Sequence, residues 1–230
     1  MSLLDLFRNE PPPLVRQAFS NVKAMLRDGH EMFAAASAHL LDNEILDLDL
    51  QDLDRGIDER EQDLRRAVLE HLTIDPDREL VFSLKLISIV HEAERIGDRA
   101  RALARTREMA RKQRMGEPVE PLREVRDRIL TMFDRAEAGF VDSEEEEARA
   151  LMHEHERVKD DTTAYLHDLA DREDLSANEG VVYSLGAHNM RRVSSHLANI
   201  ASTVVSPFDR IRRSPAWAGD NDEGRLSKVE

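Results

Sequence analysis

Cysteine is absent from this 230-residue chain, aromatic residues make up 4% of it, and glycine and proline number only 9 and 8. Without cysteine there are no disulfides, thiolate zinc sites, iron–sulfur clusters or cysteine nucleophiles, so any metal must rest on carboxylate or imidazole. Scarce aromatics and turn residues exclude a sandwich or barrel of short strands. No apolar run approaches the ~20 residues of a membrane span; Phe33–Leu41 is interrupted by Ser37 and His39. The start, MSLLDLFRNEPPP, carries Asp5, Arg8 and Glu10 where a signal peptide needs an apolar core. A cytoplasmic protein is expected. Positive charge is in deficit too. With 33 Lys+Arg against 47 Asp+Glu the formal charge is −14, which argues against nucleic acid or an anionic membrane as whole-surface partners.

What is present is helix. The composition favours helix formers, and 40% hydrophobic residues make a packed core credible. Punctuation gives six segments. After Pro11-Pro12-Pro13, apolar residues at Leu14, Ala18, Val22, Met25, Met32, Ala36 and Leu40 recur at helical spacing. Asp42 or Asn43 is the expected cap of a second helix reaching about His71, and Asp75-Pro76 opens a third that runs to about Gln113. Gly116 stops it, and Pro118 or Pro121 starts the fourth. Ser143 with Glu146, and Ser176 with Glu179, read as capping boxes of the fifth and sixth, the last ending near Pro207. The third and sixth segments are the most continuously apolar and belong at a bundle centre. The expectation is all-α: an irregular lead-in (1–13), two tandem three-helix bundles (14–113 and 118–207) and a mobile tail (208–230) to which Trp217 belongs.

The chemistry concentrates in His91-Glu92-Ala93-Glu94-Arg95-Ile96-Gly97-Asp98. At about 100° per residue, Glu94 and Asp98 continue the helix line that carries Ile87, expected to be buried. Gly97 admits a close neighbour. The second helix offers Asp54 and Asp58, also four apart, with Ile57 between them toward the core. If these helices are antiparallel neighbours, four carboxylates meet, and they repel unless a cation joins them. Oxygen ligation suits Mg, Mn, Ca or iron, with His91 and Glu92 as outer contributors. The plainer alternative is a set of salt bridges to Arg95, Arg99 or Arg55.

The segment His91–Ala104, with its Glu94-Arg95-Ile96-Gly97-Asp98 core, resembles a hallmark of the PhoU family of phosphate-transport regulators, in which that core sits on the third helix of tandem three-helix repeats. Asp54-Arg55-Gly56-Ile57-Asp58 resembles the family's second acidic motif. The resemblance implies a non-enzymatic regulator of phosphate uptake or phosphate signalling. It would act through contact with a phosphate transporter or a membrane sensor kinase, with a homodimer as a further option and membrane contact only through partners. It also implies a metal held by Asp54, Asp58, Glu94 and Asp98. The second repeat departs from the pattern: Arg191 and Ser195 stand in the glutamate and aspartate positions, and His155 and Lys159 replace the acidic pair of the preceding helix. A site without metal is expected there, closed by Arg191 and Lys159 on Glu154, Glu156 or Asp160.

Other signals are weak. His153 and His155 in Met152-His153-Glu154-His155-Glu156 point apart on a helix. No Glu-x-x-His supports a di-iron bundle enzyme, His167-Asp168 alone does not make a phosphohydrolase, and Gly-rich phosphate loops and G-x-S-x-G elbows are missing. Arg99, Arg101, Arg105, Arg107, Arg111, Lys112 and Arg114 crowd the end of the third helix, where the dipole favours cations; the alternative is a basic strip for an acidic partner or an anionic ligand. Two further functional readings stay open: a metal-dependent hydrolase on the same carboxylates, and a metal-free helical scaffold.

Overall fold

The computed structural model describes residues 13–74, 80–142 and 144–212. Six helices account for nearly all of them: α1 (Pro13–Leu41), α2 (Leu50–Ile74), α3 (Leu80–Met109), α4 (Glu120–Val141), α5 (Glu145–Ala170) and α6 (Ala177–Val205). Short 3-10 turns at Glu117–Val119 and Phe208–Arg210 complete the order. The fold is all-α, two three-helix bundles side by side. α1, α2 and α3 pack together, as do α4, α5 and α6, and the halves join through α3 against α6 and α1 against α4.

The helix ends follow the sequence with one clear correction. α2 is capped by Asp49, whose Oδ1 accepts from the Gln51 and Asp52 amides at 3.0 Å, and not by Asp42 or Asn43. Asn43 sits after α1 in the left-handed region, φ 61°, and its side-chain amide bonds both N–H and C=O of Arg114. It is a C-terminal stop, a role asparagine tolerates better than most residues. Gly116, φ 74°, turns the chain toward α4, a conformation strained for any residue with a Cβ. The Ser176–Glu179 box is present in full. The Asp75-Pro76 and Ser143 caps, the lead-in through Pro12, and the tail from residue 213 with Trp217 lie outside the described residues.

α3 and α6 are central, as their apolar runs require. Phe82, Leu86, Ile89, Ile96 and Leu103 of α3, and Val182, Met190, Val193, Leu197 and Ile200 of α6, are all buried. At the other seam Phe19 of α1 meets Phe140 of α4 with ring centroids 5.0 Å apart, and His30 stacks on Phe133 at 4.8 Å. Some buried polar groups are paired across the seam of α3 and α6. Lys85 donates to the Thr203 and Ser206 carbonyls at 2.6 and 3.0 Å, so a lysine of α3 caps the C-terminus of α6. Among the described residues no helix is long and apolar enough to cross a membrane.

Candidate metal centre

α2 and α3 cross where Gly97 removes a side chain. A Cβ built there would lie 3.3 Å from both Asp54 Oδ1 and Ile57 Cδ1. The glycine therefore lets the acidic helix settle directly against α3, and Asp54 is buried at the contact, 7% exposed. Along α2, Asp54, Asp58 and Glu61 follow at four and three residues and share a face; on α3, His91, Glu94 and Asp98 do the same. The two stripes oppose each other.

The four carboxylates of the sequence reading divide between two arrangements. Arg101 bridges Asp54 at 2.6 Å and Asp98 at 3.0 Å, and Arg95 also holds Asp98 at 3.0 Å. Glu94 instead joins Glu61 and His91, one ligand atom from each lying within 4.8 Å of the others. Asp58 stands between and raises the proton affinity of both Asp54 and Glu94 by its charge. Glu61 escaped the sequence reading. The signal that would have found it is its place one turn beyond Asp58 on the same stripe.

Electrostatics show what this gathering costs. Burial first, then the neighbouring Asp98, Glu61 and Asp58 charges, push the Glu94 carboxyl up to about 7 against the pull of Arg95. Burial likewise raises Asp54, with Arg101 opposing and Asp58 and Asp98 adding to the rise. Glu61 Oε1 is buried and accepts no hydrogen bond, although the Arg65 guanidinium lies 2.7 Å away. A buried carboxylate oxygen without a hydrogen bond, beside a carboxyl held near neutrality and an imidazole, fits a cation better than it fits the ion pairs present. His91 places a nitrogen among the carboxylate oxygens of this cluster. Imidazole with carboxylate favours iron, manganese or zinc over calcium and magnesium.

Two other expectations change. Ile87 is 36% exposed, so the α3 stripe begins as a surface row, with Leu80 and Leu84 also exposed, before it turns acidic. The reason is that the α1 and α6 contacts claim the other sides of α3. Glu92 takes no part in the acidic stripe. It points the opposite way, 3% exposed, where its Oε2 accepts from His196 Nδ1 at 2.8 Å and Asn199 Nδ2 at 2.9 Å and its Oε1 pairs with Arg212. Burial raises Glu92, but these partners outweigh it and keep it ionised below its usual range. Burial also lowers the proton affinity of His196, against the pull of Glu92. Residues 208–212, where the tail was expected to begin, thus include an arginine that reaches back to the α3–α6 seam.

The second half fills the matching position differently. His155 Nδ1 lies 2.9 Å from Ser194 Oγ, which itself donates to the Arg191 carbonyl at 2.9 Å; the imidazole must therefore be the donor. Burial pushes His155 down to about 4, with Lys159, Arg191 and Arg192 acting in the same direction and Glu156 against it. Lys159 pairs with Glu156 at 3.1 Å as expected. Among the described residues Arg191 reaches no carboxylate: it donates to Thr163 Oγ1 at 3.3 Å, because Glu154 is taken by Arg128 and Arg157.

Residues 15–106 match the family model described as the PhoU domain. Among curated proteins no sequence matches the chain. In structure it is similar to PhoU from Pseudomonas aeruginosa, with TM-score 0.77, 18% identity and coverage of 84% of this chain and 95% of that one. It is also similar to the phosphate transport system regulatory protein PhoU from Streptococcus pneumoniae, with TM-score 0.70, 18% identity and coverage of 88% and 94%. Residues 15–106 thus match the PhoU domain model, and the six-helix fold of the chain is similar to that of the two PhoU proteins.

Proposed function

We propose that this protein is a non-enzymatic regulator of phosphate uptake or phosphate signalling that works in the cytoplasm by contact with a phosphate transporter or a membrane sensor kinase. The observation that carries the reading is the outward stripe of α3, where the exposed Leu84 and Ile87 lead directly into His91, Glu94 and Asp98. Apolar side chains on a surface suit a partner, and the acidic end beside them is where a cation can change the surface that the partner meets. Glu61, His91 and Glu94 would hold the metal, with Asp58 adjacent and Asp54 and Asp98 released from Arg101 to complete the set. When bound, the ion neutralises the mutual repulsion of the carboxylates and ties α2 to α3, so that binding energy becomes folding energy.

Capture of partners from phosphate-replete and phosphate-starved cells tests this reading. Bait protein, with and without Glu94→Ala plus Asp98→Ala, should recover transport or signalling components in at least one state, less so for the variant. Recovery of neither component class in either state would count against it.

A further inference from the structure

The arginines of α3 and of the segment that follows it are not equally occupied. Arg101 bridges two aspartates and Arg114 donates to the Leu40 carbonyl at 2.6 Å, closing the end of α1. Arg99 has no carboxylate within salt-bridge distance among the described residues, and its Nε is buried without a hydrogen-bond partner. Across the seam, the exposed Arg192 is equally without an acidic partner among them.

The register between α3 and α6 brings these two together. The helices run antiparallel: Lys85 bonds the carbonyls of Thr203 and Ser206, Glu92 meets His196 and Asn199, and Arg111 and Lys112 meet Asn178 and Glu179. Arg99, two turns beyond Glu92, falls level with Arg191 and Arg192. On α6 the residues His188, Arg192 and Ser195 share one stripe by their spacing of four and three. After burial, the strongest influences that disfavour a charge on His188 are Arg99 and Arg192, then Arg191; Arg192 and Arg99 act on His196 in the same sense. Positive charge thus converges on one spot from both helices, in a protein whose formal charge is −14. Surface arginines usually find a carboxylate when acids are this abundant; here the neighbouring acid, Glu92, is already held by three partners.

We propose that the seam between α3 and α6 is a binding site for a tetrahedral oxyanion of the phosphate class, gripped by Arg99 from one half and Arg192 from the other, with His188 and the Ser195 hydroxyl as further donors. Guanidinium forks match the edges of such an ion bidentately, which a lysine would not do. The two arginines stand at one level on adjacent helices, a single pair that suits a small ion better than an acidic peptide. An ion there neutralises the opposed charges and clamps the two bundles at their shared seam. This site is separate from the acidic α2–α3 cluster and does not rest on it.

The test is calorimetric titration of the full chain, at low ionic strength, with inorganic phosphate, sulfate and ATP in parallel. Saturable binding of phosphate is expected, weakened at least about tenfold in Arg99→Gln and in Arg192→Gln, as loss of a charge-assisted bond implies. Arg105→Gln plus Arg111→Gln, exposed near the end of α3 and just beyond it, should change it less than twofold, with helix content checked by circular dichroism for every variant. Phosphate binding at least as tightly as ATP identifies the free ion; ATP binding more than tenfold tighter identifies a nucleotide phosphate as the source. In the unmutated protein, the His188 imidazole resonances should shift with phosphate while those of His39 stay fixed. Absence of saturation by all three ions, equal weakening in the control variant, or an unresponsive His188 would overturn the proposal.

Discussion

Where α2 meets α3, Asp54 lies against Gly97; where α5 meets α6, His155 lies against Ser194. The two positions correspond in a duplicated architecture, yet one gathers carboxylates that the neighbouring arginines neutralise only in part and the other closes on itself with a neutral hydrogen bond. The first pairing leaves carboxyls whose proton affinity is raised by burial and by one another. The second hides an imidazole whose proton affinity is lowered by burial. A common backbone slot can therefore be finished either way, and the choice lies in whether the central helix carries a glycine or a serine, and the outer helix acids or bases.

The strongest challenge to this contrast is metal itself. Manganese or ferrous ion at a hundredfold excess over its Kd should stabilise the protein by about 2.7 kcal/mol, raising Tm by roughly 5–11 °C for a chain of this size, as scanning fluorimetry with and without chelator would record. Glu61→Gln or Glu94→Gln should abolish the shift; His155→Gln should leave it intact. Metal content that fell equally with the His155 variant would erase the asymmetry.

Acid probes the second half. His155 titrates near 4 in the folded protein against an ordinary value of 6.5, so the unfolded chain takes up a proton first as pH falls. The stability it contributes is complete above about 6.5 and is lost progressively between 6.5 and 4, by on the order of 3 kcal/mol. Urea unfolding at pH 4.5 and pH 7 should show this part of the acid loss disappearing in His155→Gln.

Exchanging the central residues gives smaller effects. Ser194→Gly should cost about 2 kcal/mol, since it strands the buried imidazole donor and places a glycine inside a helix. Gly97→Ser should cost about 1 kcal/mol, because Asp54 and Ile57 must yield to a side chain beginning 3.3 Å away, and should also weaken the metal response. Lys159→Ala, which removes only a partly exposed pair with Glu156, should change stability by less than about 0.5 kcal/mol. Thermal or denaturant unfolding of each variant checks the order.

Much of this was legible in the chain. The apolar runs of α3 and α6 placed them at the centre because a helix without a polar face has nowhere else to go. Gly97 between two acids announced a close neighbour, and the Ser176–Glu179 spacing announced a helix start. The cap of α2 was misread because Asp42, Asn43 and Asp49 are all chemically competent; which one caps depends on where the chain bends, and the pairing of Asn43 with Arg114 across 71 positions settled it. Glu92 was read as an outer contributor to the acidic site, but residues two apart on a helix diverge by about 200°, so that Glu92 and Glu94 face different neighbours.

Sequence alone determined the helical class, the order of its six segments, the central pair and the acidic character of the first half, because these follow from periodicity, capping chemistry and the charge of residues close in the chain. Tertiary structure decided the partners. Glu61 joins His91 and Glu94, Arg101 holds Asp54 to Asp98, Glu92 turns to α6, and Arg99 comes level with Arg192. Each depends on the angle and register at which two helices cross, and register is set by packing summed over whole faces, not by any local run of residues.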